Sequence, residues 1–284
     1  MVATLSEAAV AVLTTAAPME KVRLTREYAA AWRGGALAEI GGAVPPDRPA
    51  RPERPELKLP RDMPKRGRGG TLQNRIALLH ALAHIELNAI DLAWDIVCRF
   101  PGEAMPRGFT DDWIAVADDE ARHFAMLEHR LNQMGASYGD LPAHDGLWQA
   151  AQKTAQDLTA RLALVPMVLE ARGLDVTPDT VRRLRAFGDD ESAGILQTIH
   201  DEEIGHVAAG HRWFSHLCRR RGVDPVATWQ DLVLRNFRGG LKRPFNVTSR
   251  AAAGFGPEFY ESIAAPDPAA GPTSSEGSDG GSSS

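Results

Sequence analysis

Two residue types recur in a fixed order along this chain: Glu86, then Glu120-Ala121-Arg122-His123, then Glu170, then Glu203-Ile204-Gly205-His206. A glutamate and a histidine three positions apart on an α-helix are separated by about 300° of turn, so they lie on neighbouring lines of one face. That face can offer a carboxylate oxygen and an imidazole nitrogen to one metal ion. Two such pairs, joined by a lone glutamate from each of two further helices, complete a carboxylate-bridged site for two metal ions inside a four-helix bundle. Oxygen and imidazole donors without thiolate suit iron, with manganese the alternative, rather than structural zinc.

The intervals argue for the whole set over any single motif. Helices rich in Glu and His produce an isolated E-x-x-H often. Here Glu86 and Glu120 are 34 residues apart and Glu170 and Glu203 are 33 apart. Glu86 precedes Glu170 by 84 residues, and His123 precedes His206 by 83. The chain therefore reads as two helical hairpins of nearly equal length, each supplying Glu and then Glu-x-x-His. Asp91, five after Glu86, and Asp175, five after Glu170, extend the echo. A duplicated fold with the site on its pseudo-two-fold axis is expected. Four carboxylates at core positions require a shared cation, because a buried charge without a partner is costly.

The neighbours of the motifs have expected roles. Asp119 precedes His123 by four residues and Glu202 precedes His206 by four. At that spacing each carboxylate is expected to accept the outer ring N–H of the histidine on its own helix, freeing the other nitrogen for metal. Arg122 is expected to neutralise Asp119 or a nearby carboxylate. His84 is a further candidate for the surroundings of the site. It and His80, one turn apart, also read as partly buried polar residues bonded to neighbouring helices. His129, His144, His200, His211 and His216 have no carboxylate partner repeated in both halves and read as surface or structural.

The elements that must position these residues follow from apolar periodicity. The first long helix is predicted over 72–100, with Glu86 on the stripe of Leu79, Leu82, Ile90, Ala93 and Val97. The second is predicted to follow a cap at Thr110 and run to about 134, with Glu120 among Trp113, Val116, Phe124, Leu127 and Leu131. The third is predicted over 147–172, kinked by Pro166, and Thr177-Pro178 is read as opening a separate short helix. The fourth is predicted over 190–221, with Glu203 among Leu196, Ile199, Val207, Gly210, Trp213 and Leu217.

The expected fold is thus all-α, a four-helix bundle over 71–222 with helical extensions at both ends. Residues 1–44 form an N-terminal helical segment broken near Pro18, and 223–264 a C-terminal extension with a helix over 224–237. The Pro- and Arg-rich stretch 45–70 reads as a solvated extended linker, with an arm laid over the bundle as the alternative. Residues 265–284 are low-complexity and expected to be disordered.

Composition narrows the function classes. With 43% hydrophobic and 24% charged residues, the 284-residue chain can build a core. A net charge of −5 argues against nucleic acid or an acidic membrane surface as partner. No uninterrupted apolar run reaches membrane-spanning length, and no Lys or Arg opens the Ala-rich N-terminus, so a cytoplasmic location is expected. Cys98 and Cys218 are far apart and form no C-x-x-C motif.

The ordered set Glu86, Glu120-x-x-His123, Glu170, Glu203-x-x-His206 resembles the ferritin-like di-iron carboxylate superfamily. The segments HALAHIELNAIDLAWD, DDEARHFAML and HDEEIGHVAAGHRWF are similar to an uncharacterised bacterial family of unknown function within it, over about residues 20–260. The resemblance implies Glu86 and His123 as terminal ligands of one metal, Glu170 and His206 as those of the other, and Glu120 and Glu203 as bridges. The D-E-x-R-H form of Asp119–His123 is similar to bacterial di-iron monooxygenases, and a tRNA-hydroxylating di-iron family is a more distant likeness. The implied function is an O2- or peroxide-dependent oxidoreductase with a small-molecule substrate and an electron donor. The alternatives are an iron-binding or ferroxidase protein without organic substrate, and a non-catalytic module stapled by metal. A homodimer is compatible with all three. The extensions at both ends depart from a minimal ferritin bundle and argue against a storage cage.

Overall fold

A computed structural model describes residues 2–64, 70–237 and 240–265. Its helices are α1 (Leu5–Leu13), α2 (Pro18–Arg33), α3 (Leu72–Arg99), α4 (Arg107–Gln133), α5 (Gly146–Lys153), α6 (Leu158–Leu164), α7 (Ala171–Ala186), α8 (Asp190–Arg221), α9 (Pro225–Asn236), α10 (Val247–Ala252) and α11 (Pro257–Tyr260). Among the described residues there is no strand, only two isolated bridges, Leu57 with Ala143 and Leu241 with Ala264. The expected tail beyond Ala265 lies outside the described residues.

The long helices are terminated by ordinary chemistry. Thr71 Oγ1 accepts from the Asn74 amide at the start of α3. At the start of α8, Asp189 accepts from the Ser192 amide, and Asp190 and Glu191 occupy the first turn. Arg219, Arg220 and Arg221 occupy its last turn, so both ends oppose the helix dipole. Gly222 then takes φ 65°, the left-handed conformation that closes a helix. Thr110 is not the cap of α4: the helix starts earlier, at Arg107 directly after Pro106, and Thr110 is buried within it.

Four helical columns form the bundle. α3 pairs with α4, and α7 with α8. The two hairpins meet along α4 and α8, which run antiparallel: Arg130 pairs with Glu191, Arg122 with Glu202, and Arg212 with Asp112. The third column differs from the expected helix over 147–172. α5 is separate, and the column is built from α6, a π-helical turn at Val165–Glu170, and α7. Pro166 cannot donate to the helical ladder, and the widened turn absorbs it. Nor does Pro178 open a helix: α7 runs through it. The carbonyl that loses its partner there, Leu174 O, accepts instead from Asn246 Nδ2 at 3.1 Å, a donor supplied by the C-terminal extension.

Both extensions are tied to the bundle through the echoed aspartates. Asp91 is fully buried and ion-paired to Lys21 of α2 and to Arg51. Asp175 accepts both arms of Arg250 from α10, each at 2.8 Å, and the Asn246 amide at 2.9 Å. The stretch read as a solvated linker is, in its described part, an arm on the surface of the bundle. Pro46 O accepts from Arg99, Asp47 O from Trp148 Nε1, and Arg48 pairs with Asp145. The Ala50 amide donates to Leu13 O, while Lys58 and Glu56 exchange backbone bonds with Ala143. Proline and arginine are hydrophilic by composition, yet here guanidinium groups and free carbonyls find fixed partners that no linear pattern encodes.

α3 is the one described helix long and apolar enough to cross a membrane by length and composition, although it contains no uninterrupted apolar run of that length. Its apolar surface is spent inside the protein, with 67% of its most apolar stretch buried, and the buried Glu86, Asp91 and Asp95 interrupt it.

Candidate metal centre

Glutamates and histidines from three columns converge, and Glu170 of the third column stands near enough for its charge to act on them. One ligand atom each from Glu86 of α3, Glu120 and His123 of α4, and Glu203 of α8 lie within 4.8 Å of one another, all four residues being buried. His123 Nδ1 stands 3.4 Å from Glu86 Oε2 and 3.5 Å from Glu120 Oε2. His206 Nδ1 stands 3.1 Å from Glu120 Oε1 and 3.5 Å from Glu203 Oε2. Glu120 therefore turns one oxygen to each histidine and occupies the middle of the cluster. The charge of Glu170, the last residue of the π-helical turn, interacts with Glu203, Glu120 and His206.

Unmet hydrogen-bonding capacity is concentrated at this one place. Of twelve buried side-chain nitrogen and oxygen atoms without a hydrogen-bond partner among the described residues, seven belong to these six residues. They are Glu86 Oε2, both oxygens of Glu120, His123 Nδ1, Glu170 Oε2, Glu203 Oε2 and His206 Nδ1. Each unpartnered buried atom costs on the order of 1–3 kcal/mol. The cost is removed if lone pairs aimed at one space share a cation, and the donors present fit a metal ion of the hard to intermediate kind.

Without metal the cluster must hold protons. Burial, and next the neighbouring Glu120 charge, push Glu86 well above the carboxylate range. Burial and Glu203 do the same to Glu170. Burial alone would lower His123, but Glu120 and Glu86 override it and hold the imidazolium up to about 11. His206 is raised in the same way, by Glu203, Asp119 and Glu120 against its burial. Burial would raise Glu120 too, yet the proton on Glu86 and the two imidazolium rings keep it ionised.

The outer contacts of the histidines cross between the hairpins. His123 Nε2 donates to Glu202 at 2.6 Å, and His206 Nε2 faces Asp119 at 3.4 Å. Each carboxylate was expected to serve the histidine of its own helix. With Nδ1 turned inward, however, Nε2 points across the seam toward the antiparallel partner, where the other hairpin's carboxylate stands. Arg122 donates to Asp119 at 2.8 Å and to Glu202 at 2.7 Å, joining the two. His84 is not part of this arrangement. Two residues from Glu86, it projects to another face and bonds to Tyr138 Oη, His144 O and Asn88. His80 likewise accepts from the Gly139 amide, so the two histidines hold the loop after α4.

One positioning contact goes beyond the apolar stripe on which the sequence places Gly210. Gly210 of α8 faces Pro166, and a Cβ at Gly210 would come within 2.4 Å of Pro166 Cβ. The missing side chain lets the π-helical turn lie against α8 and so sets Glu170 beside Glu203. Gly210→Ala is expected to push this turn away and weaken metal binding at the Glu170–His206 side more than at the Glu86–His123 side. Metal titration of the variant by calorimetry checks it; two unchanged binding events would contradict it.

These features define an all-helical protein with a buried carboxylate–imidazole cluster that can hold metal. The chain belongs to the family described as protein of unknown function DUF455, whose model matches residues 14–261. It is similar to an uncharacterized protein of Haemophilus influenzae, with 39% identity over 253 residues, covering 86% of this chain and 88% of that protein. No solved structure matches it.

Proposed function

We propose that the six residues hold two metal ions, iron with manganese as the alternative, in a ferritin-like four-helix bundle, and that the protein is an O2- or peroxide-dependent oxidoreductase acting on a small-molecule substrate. The observation that carries the reading is that seven unpartnered buried atoms belong to these six residues, four of which bring a ligand atom within 4.8 Å of one another. In the proposed assignment Glu86 and His123 serve one ion and Glu170 and His206 the other. Glu120 and Glu203 are shared, which fits the central place of Glu120 between the two histidines. Held by these residues, a reduced pair of redox-active ions would supply electrons for O2 or peroxide reduction. The chain's own residues hold the ions, exclude bulk water and fix both histidine tautomers through Glu202 and Asp119.

An anaerobic Fe(II) titration followed by O2 tests this. Two irons per chain are expected, with O2 consumption that resumes when reductant is added. Continued uptake of many irons per chain would instead support iron handling. A redox-inert site whose chelation lowers the melting temperature would support a stapled module. The titration also has a pH signature. Because Glu86, Glu170, His123 and His206 hold protons in the free protein, loading must expel them, so affinity falls as pH is lowered. Affinity independent of pH between 6 and 8 would contradict that ligand set.

A further inference from the structure

Outside the histidine pair, between α4 and α8, lies an open groove of about 310 Å³. Asp112 and Asp119 line it from α4, Asp201 and Glu202 from α8. The small residues Ala115, Gly205 and Ala209 also line it, as does His206. That histidine is 2% exposed, and its Nδ1, without a hydrogen-bond partner, faces Glu120 behind the ring. Two other cavities, one beside Trp148 and Arg161 and one beside Tyr28 and Leu37, border none of the six cluster residues.

We infer that this groove is the loading path by which a hydrated divalent cation reaches the centre. The inference rests on the metal-binding reading above and adds where the ion enters. Charge selects the traveller. Four carboxylates face two guanidinium groups, Arg212 paired with Asp112 and Arg122 paired with Asp119 and Glu202, and the His206 imidazolium, so in the metal-free protein the local sum is 3 − 4 = −1. Such a field concentrates cations and repels anions. The volume admits roughly ten water molecules at about 30 Å³ each, enough for an ion that still carries its hydration shell. Asp119, which faces His206, and Glu202, which bonds to His123, are the last carboxylates on the way in. They offer oxygen ligands to the ion at the point where it must begin to shed water.

Gly205 allows a test that leaves every proposed ligand in place. It is exposed, it lines the groove, and an added Cβ would meet no atom within 4 Å. Gly205→Leu therefore fills the passage without displacing its neighbours, and it suits a helix better than glycine does. Gly194→Leu, equally unhindered on the same helix but away from the groove, is the control.

The experiment is stopped-flow mixing of Co(II) with the metal-free full-length protein, read by visible absorption, with the equilibrium stoichiometry measured separately. Gly205→Leu is expected to load at least tenfold more slowly than wild type and to reach the same final stoichiometry. Gly194→Leu is expected to load at the wild-type rate. Asp201→Asn is expected to slow loading by a smaller factor and to weaken its dependence on salt. Wild-type loading by Gly205→Leu would overturn the path while leaving the metal centre intact. A wild-type protein that binds no cobalt would overturn the metal centre and the path with it.

Discussion

Glu120→Ala is expected to lose both metal ions, where Glu86→Ala loses chiefly one. Glu120 is the residue that faces both histidines, with Oε2 3.5 Å from His123 Nδ1 and Oε1 3.1 Å from His206 Nδ1. Removing it takes an oxygen from each half of the site and leaves two imidazolium rings, with centroids 5.8 Å apart, without the anion between them. Metal content per chain after loading and dialysis is the direct measurement. Thermal unfolding gives a second. A ligand held at about a thousand times its dissociation constant stabilises a protein by about 4 kcal/mol. In a protein of this size that corresponds to roughly 10 °C. Chelation should lower the wild-type melting temperature by about that much and leave Glu120→Ala unmoved. Full stoichiometry in Glu120→Ala would remove the central residue from the proposal.

Asp91→Ala is expected to be the most destabilising substitution outside the cluster, at about 3–5 kcal/mol, the usual cost of breaking a buried ion pair from one side. Asp91 is fully buried, Lys21 is 1% exposed, and Arg51 shares the same carboxylate. Burial lowers the Lys21 pKa, and Asp91 is the main influence acting the other way. Without Asp91 the ammonium must lose its proton or pull α2 toward solvent. The melting temperature should fall by about 10 °C. Limited proteolysis should then cut within residues 46–58, because Arg51 no longer pins the arm. A loss below about 1 kcal/mol with the arm still protected would mean that the pair is not what holds the extension. Asp175→Ala makes the matching case at the other end, where Arg250 would be stranded at 3% exposure.

The two substitutions probe different kinds of information. The residues of the cluster and their order along the chain are legible without coordinates. An E-x-x-H pair, a stripe of apolar residues and a capping aspartate all depend on the 3.6-residue period within one helix, which primary structure carries directly. The spans of α3 and α8 follow from that period, and so does the placing of Glu86, Glu120 and Glu203 among core positions. The near-equal intervals in the two halves point to a duplicated site for the same reason.

Contacts between helices are another matter. Asp119 serves His206 and Glu202 serves His123 because α4 and α8 are antiparallel and close, a relation set by packing rather than by spacing. Two prolines in the third column were read as a kink and a helix start, but a π-helical turn and the amide of Asn246 absorb them. The apolar stripe of α8 includes Gly210 and not Gly205, but only the packing shows that Gly210 faces Pro166 with no room for a methyl group while Gly205 faces open space. The six candidate residues, then, can be named from the sequence alone, since the E-x-x-H spacing and the apolar stripes that carry them are local to single helices. Which carboxylate aims which histidine, what anchors the extensions and where the cluster opens to solvent were decided only by the tertiary structure, because each depends on atoms from helices far apart in the chain.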